Sequence, residues 1–293
     1  MGRFTGGAET VPAPTIFAVS ATSLYLGAAI GVLLFAVVDP AGIAWLRTLG
    51  AAVLLLVWRR PGRAAWRGRR LLLAAAFGVV TAGMNVVFYE AIARIPIGTA
   101  VAIEFAGPVV VAALGSRTHR DVGALVLVVA GVVAVADVQL TASPAGLGFI
   151  LLAAALWAGY IVLGKRVSDA GAGLDDLAVG LGVAAVVFSP LALTTGPAWH
   201  SPVLLVGGLG VGVLSSAVPY ALDQVVLARV GRARFAVLLA LLPATAAVVG
   251  ALVLGQVPGV LEVLGIAAVI GAVLLRESGT TTADDRSSDA LPG

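Results

Sequence analysis

Between residues 16 and 275 the chain consists of long apolar runs broken by short clusters of arginine, glycine and proline. About 20 apolar residues let a helix cross the hydrocarbon core of a bilayer. Ten runs meet that length: 16–37, 41–58, 71–93, 97–114 and 122–138, then 146–166, 174–194, 202–228, 233–254 and 258–275. The first has no short apolar core followed by a cleavage site, so it reads as a retained helix and not as a signal peptide. The pattern predicts an all-α integral membrane protein of ten transmembrane helices.

Composition strengthens this reading. Hydrophobic residues make up 60% of the 293 positions and charged ones 11%, against about 45–50% and 25% in soluble domains. The 37 glycines suit helices that approach closely in lipid, so a bundle is expected and not a barrel. With no cysteine and two distant histidines, His119 and His200, no metal site is expected. No cofactor is expected either. The tail 276–293 is polar and poor in large apolar residues, and is expected to be disordered.

Charge adds a direction. The net charge of +3 is topological and does not point to nucleic acid, because the basic residues sort by membrane side. With a cytoplasmic amino terminus, the inner loops hold the six arginines of RRPGRAAWRGRR, then Arg117, Arg120, Lys165, Arg166, Arg229, Arg232 and Arg234. The tails add Arg3, Arg276 and Arg286, leaving only Arg47 and Arg94 elsewhere. The positive-inside rule therefore places both termini in the cytoplasm.

The two halves match sparsely at an offset of 135 residues: Tyr25 with Tyr160, the Ala-Arg pair at 93–94 with that at 228–229, Pro108 with Pro243, and Gly115 with Gly250. An odd number of helices in each half forces the second copy to enter the membrane upside down. The expected organisation is a tail at 1–14, a first five-helix repeat at 15–138, a second, inverted one at 146–275, and the tail at 276–293. Inverted repeats are a hallmark of secondary transporters.

Within this apolar background a few polar residues stand out. Glu104 lies in GTAVAIEFAGPVVVAAL, where an ionised group costs about 2.5–3.5 kcal/mol on insertion scales, so it needs a partner, a proton or water. Pro108 has no N–H for the carbonyl four residues earlier, which is that of Glu104 itself, and Pro243 does the same to Leu239. Two kinked helices are expected, with Glu104 near mid-membrane. Pro219 likewise frees the carbonyl of Ser215, a polar backbone group tolerated only against protein or water.

Arg47 is the other charge well inside a run. It either neutralises Glu104 or Glu90, receives a substrate carboxylate, or snorkels to the outer interface. Glu90 and Arg94 stand at i, i+4 and predict a local ion pair. Asn85, Tyr89, Tyr220 and Asp223 are further cavity candidates, Asp223 equally readable as interfacial. The close glycines of GGLGVG at 207–212 follow no strand and are read as helix packing, as are Gly27 with Gly31 and Gly208 with Gly212. Asp175 and Asp176 are read as a solvated inner-loop pair.

FYEAIARIPIGTAVAIEFAGP at 88–108, SSAVPYALDQVVLARV at 215–230, RFAVLLALLPATAAVVGALVLGQ at 234–256 and DPAGIAWLR at 39–47 resemble, in order, helices of the drug/metabolite transporter superfamily. The likeness is to its ten-helix branch with two EamA domains, nearest the threonine/homoserine exporters. It implies a basket of two inverted five-helix repeats around a central cavity. Leu242 before Pro243, and Gln256, stand where relatives often carry acids.

The resemblance implies an inner-membrane secondary transporter that exports small polar metabolites such as neutral amino acids by alternating access. Its substrate is a small molecule and its surroundings membrane lipid. With no nucleotide motif, the energy source is a proton gradient or the substrate's own. Glu104 then meets the substrate amino group or carries a proton, while Pro108, Pro219 and Pro243 shape helices. Two alternatives are export of hydrophobic or cationic toxic compounds, and an intramembrane lipid-modifying enzyme, for which no nucleophile–base pair is visible.

Overall fold

The computed structural model of the chain describes residues 11–115, 119–169 and 173–288, and the regular structure among them is entirely helical. Helix α1 spans Ala13–Leu34, α2 Pro40–Arg59, α3 Gly68–Ile92, α4 Ile97–Glu104, α5 Ala106–Gly115 and α6 His119–Ala142. The second half continues with α7 Pro144–Asp169, α8 Gly173–Val187, α9 Pro202–Gly212, α10 Val218–Leu239, α11 Leu242–Leu254 and α12 Val260–Ser288. Of the basic residues used to orient the chain, Arg3 and Arg117 lie outside the described residues.

Six described helical stretches are long and apolar enough to cross a membrane. A further one forms if α8 and the 3-10 segment Ser189–His200, bent by 77°, are taken together, and 97–111, 122–134 and 260–275 are shorter apolar helices. The bend is local chemistry. Pro190 disfavours helical geometry at Ser189, and Gly196, at φ 33, adopts a left-handed turn that side chains with a Cβ avoid.

The run 97–114, expected to kink, is interrupted at Phe105, dividing α4 from α5. Two departures from the expected elements have physical causes. The turn expected at 229–232 is instead helical through to Leu239. Residues 228–235 contain no proline and several good helix formers, whereas their counterpart carries Pro96 just after α3 ends. The C-terminal residues 276–288, expected to be without structure, continue α12, since adding residues to an existing helix is far easier than starting one.

Helix α1 packs on α10 and α11, α2 on α8 and α9, α3 on α7 and α8, α4 on α11, and α6 on α12. Glycines set the closest crossings. A Cβ at Gly78 of α3 would overlap the Gly180 carbonyl of α8, and one at Gly212 the Arg47 carbonyl of α2. Close backbone approach of this kind replaces the hydrophobic drive that is missing between helices in lipid.

Asp175 and Asp176 are not a solvated loop pair. They form the first turn of α8, where the helix dipole favours acids. Asp175 accepts from Arg59 Nε at 2.8 Å and Asp176 from Arg70 Nε at 2.7 Å. Asp176 is buried, and these pairs tie α2 and α3 to α8 at their basic ends.

Candidate functional site

A cavity of about 440 Å³ lies among α1, α2, α3, α4, α5, α7, α10, α11 and α12, and takes in Arg47, Asn85, Glu104, Pro108, Pro219, Tyr220 and Asp223 from the sequence-predicted set. Tyr25, Tyr160, Ser215, Phe88, Trp157 and Phe235 complete the part of the wall that bears on recognition. Of these, Tyr25 and Tyr160 were legible as a repeat-related pair. Ser215 was legible through its carbonyl, freed by Pro219, and the others carried no signal stronger than an aromatic in an apolar run.

Glu104 closes α4 and is 8% exposed. Its carboxylate has no hydrogen bond or ion pair among the described residues. The interruption at Phe105 follows from Pro108, whose missing N–H leaves the Glu104 carbonyl without its helical donor, so a carboxylate and a released carbonyl sit at one level.

Arg47 neither snorkels nor pairs with a carboxylate. Asp39 caps α2 by accepting from the Ala41 N–H at 2.9 Å, and Pro40 occupies the first turn. That start places Arg47 two turns inside the helix, at 7% exposure. Its Nη2 donates to the Ser215 carbonyl at 2.9 Å and its Nε to Ser216 Oγ at 3.2 Å. The guanidinium carbon stands 5.3 Å from the centre of the Tyr89 ring. Glu90, the other acid considered for it, pairs with Arg94 as expected.

The segment that receives Arg47 is a single π-turn, Val213–Ala217, between α9 and α10. Pro219 stands just after it. Ser23 Oγ donates to the Leu214 carbonyl at 2.8 Å, and Ser215 Oγ donates to the Leu24 carbonyl at 3.0 Å. Polar groups thus stitch α1 and α2 onto the irregular turn, which is how unwound backbone survives at membrane depth. Gly27 permits this contact, since a Cβ there would collide with Ser215 Oγ.

Asp223, one turn further along α10, accepts from Ser20 Oγ at 2.7 Å and also lines the cavity, so it is not merely interfacial. Tyr89 is a correction. Its ring is fully buried beneath Arg47 and outside the cavity wall, and its hydroxyl has no hydrogen-bond partner among the described residues. Pro243 is also off the wall. It lies in the first turn of α11, where a missing N–H costs nothing, while Leu239 and Leu242 around the break do line the cavity.

Gln256 accepts from the Ile97 N–H at 3.0 Å and so satisfies an end of α4. A buried acid that sequence reasoning missed, Glu262, accepts from Thr99 Oγ and from the Gly259 N–H, each at 2.8 Å. The Thr99 bond ties α4 to the start of α12 and the Gly259 bond closes the first turn of α12, away from the cavity.

The cavity wall contains pairs of residues at one fixed spacing. Tyr25 and Tyr160, Met84 and Pro219, Asn85 and Tyr220, Phe88 and Asp223, and Glu104 and Leu239 are each 135 residues apart, and all ten residues line this one cavity.

Comparison with known proteins gives consistent results. Residues 144–276 match the EamA-like transporter family. The threonine/homoserine exporter RhtA of Escherichia coli is 36% identical over 266 residues, 88% of each chain. The threonine/homoserine exporter RhtA of Salmonella typhimurium is 35% identical over the same coverage. A crystal structure of a protein with 15% identity superposes with a TM-score of 0.60 over 90% of this chain and 96% of that one, which shows a shared fold.

Proposed function

The chain belongs to the EamA-like transporter family, within the drug/metabolite transporter superfamily, and from that premise we propose that it exports neutral amino acids of the threonine/homoserine type across the inner membrane. As a member of a transporter family it moves a small molecule and is not an enzyme. The observation that carries the proposal is that Glu104 and Arg47 line one cavity without pairing with each other. Arg47 is held only by neutral groups, so its remaining N–H donors are available to a guest. An α-amino acid carries the complementary pair of charges: its ammonium meets Glu104 and its carboxylate meets Arg47.

Alternating access between two inverted five-helix repeats is the proposed mechanism. Its support is the set of cavity residues related by one offset, together with interruptions at Phe105 and Ala240 in corresponding helices. Helix pairings follow the same symmetry: α3 packs on α7 and α8 as α10 and α9 pack on α1 and α2.

Charge counting supports proton coupling. The cavity holds two carboxylates and one guanidinium, and a zwitterion adds no net charge, so one negative charge is left over within a membrane-embedded site. One proton on Glu104 or Asp223 removes it.

A second reading, export of cationic or hydrophobic toxic compounds, is favoured by the same two acids beside Trp157, Phe88 and Phe235. Efflux from loaded vesicles, measured across amino acids and organic cations at equal protein content, separates the two. Homoserine and threonine leaving faster than from empty-vector vesicles supports the first. Efflux of organic cations alone removes it.

A further inference from the structure

We infer that Pro219 is a positioning residue for recognition of the substrate's carboxylate: the carbonyl it leaves free on Ser215 holds the Arg47 guanidinium away from Glu104. The inference rests on the amino-acid reading above and assigns a role to a residue that touches neither charge of the substrate.

A proline at 219 withholds an N–H from the carbonyl four residues back, Ser215, or five back across a π-turn, Leu214. Both carbonyls have found other donors: Ser23 Oγ serves Leu214 at 2.8 Å and Arg47 Nη2 serves Ser215 at 2.9 Å. With Ser216 Oγ on Nε at 3.2 Å and the Tyr89 ring alongside, the guanidinium is fixed by neutral partners on the α10 side of the cavity. Its planar fork still has donors to spare.

The consequence concerns the other wall. Glu104 is buried and unpartnered among the described residues, and unlike charges in a buried cavity attract more strongly than in water. A guanidinium without its carbonyl anchor turns to that carboxylate. The two groups then satisfy each other, and the zwitterion loses both of its anchors. The substitution Pro219→Ala sets up this exchange, because a restored N–H reclaims the Ser215 carbonyl for the helix.

The test is a selectivity ratio. Homoserine and 3-aminopropan-1-ol, its analogue lacking the carboxylate, are titrated calorimetrically against the purified full-length protein in detergent. The parent should bind homoserine about tenfold or more tightly than the amino alcohol, the worth of one charge-assisted contact. In Pro219→Ala the ratio should fall to near one. On a Glu104→Gln background, where the carboxylate that draws Arg47 is gone and Asp223 is held by Ser20 Oγ, adding Pro219→Ala should leave the ratio unchanged. A ratio that survives Pro219→Ala, or falls equally on both backgrounds, overturns the inference and leaves Pro219 a structural kink.

A substrate-free cryo-EM structure of Pro219→Ala decides the same point without binding. Arg47 on Glu104 supports the inference and Arg47 still on Ser215 sinks it, even if homoserine proves not to bind and the proposed function fails on its own. Should Pro219→Ala not fold, Ser216→Ala removes one of the two hydrogen-bond acceptors and should lower the ratio in the same direction. No change there also counts against it.

Discussion

Arg70 donates to Asp176 at 2.7 Å, joining the start of α3 to the start of α8 through a carboxylate that is 2% exposed. The neighbouring pair of Arg59 with Asp175 has both partners about one-third exposed. The two differ in burial and hardly at all in length.

Burial decides what each pair is worth. Asp176→Ala should lower unfolding stability in detergent by about 1–3 kcal/mol, discounted from a fully buried pair because Arg70 reaches water. Asp175→Ala should cost about 0–1 kcal/mol. Thermal unfolding of both variants checks this, and equal losses would show that the burial of Asp176 carries no extra weight.

Glu104→Gln keeps size and hydrogen bonding and removes the charge. Insertion and expression should hold while amino-acid efflux drops about thirtyfold or more, from a lost contact of about 2–5 kcal/mol. Efflux from vesicles with matched protein content reads this out. An unchanged rate would take Glu104 out of the mechanism.

Asp223→Asn removes the second carboxylate while leaving an acceptor for Ser20. If a proton balances the cavity charge, efflux driven by an imposed inward proton gradient should slow severalfold, while exchange of internal for external homoserine continues. Equal dependence on the gradient in parent and variant would place the coupling elsewhere.

Pro108→Ala restores the donor that the Glu104 carbonyl lacks, so α4 and α5 can join into one straight helix. Transport should fall while thermal stability is unchanged or raised. A well-inserted variant with normal transport would make the interruption at Phe105 incidental.

Both termini should face the cytoplasm. Alkaline phosphatase fused after residue 293 should be inactive, and fused near Gly196 it should be active. The opposite pattern would invert the topology and with it the side from which substrate reaches Glu104.

A helical membrane fold was legible in the chain itself, because spanning length and low charge are local properties of each segment, and the transporter family through the likeness of four ordered stretches to known helices. So were the irregularities at Pro108, Pro219 and Pro243, though not the bend at Pro190: a missing N–H frees a carbonyl wherever the chain goes. Which group answers that carbonyl is not local. Arg47 meets Ser215 from 168 residues away, and nothing near Arg47 distinguished this from snorkelling or a pair with Glu90.

Tyr89 was a cavity candidate and Tyr25 was not, and packing reversed them by turning the Tyr89 ring under Arg47. Asp176 read as solvent-exposed for the same reason. A side chain's direction depends on which helices close against it, and here that is decided by glycines such as Gly78 and Gly212, which let distant backbones touch. Sequence alone determined which groups need a partner in a membrane; only the tertiary structure, by fixing which helix faces meet, decided which partner each one has.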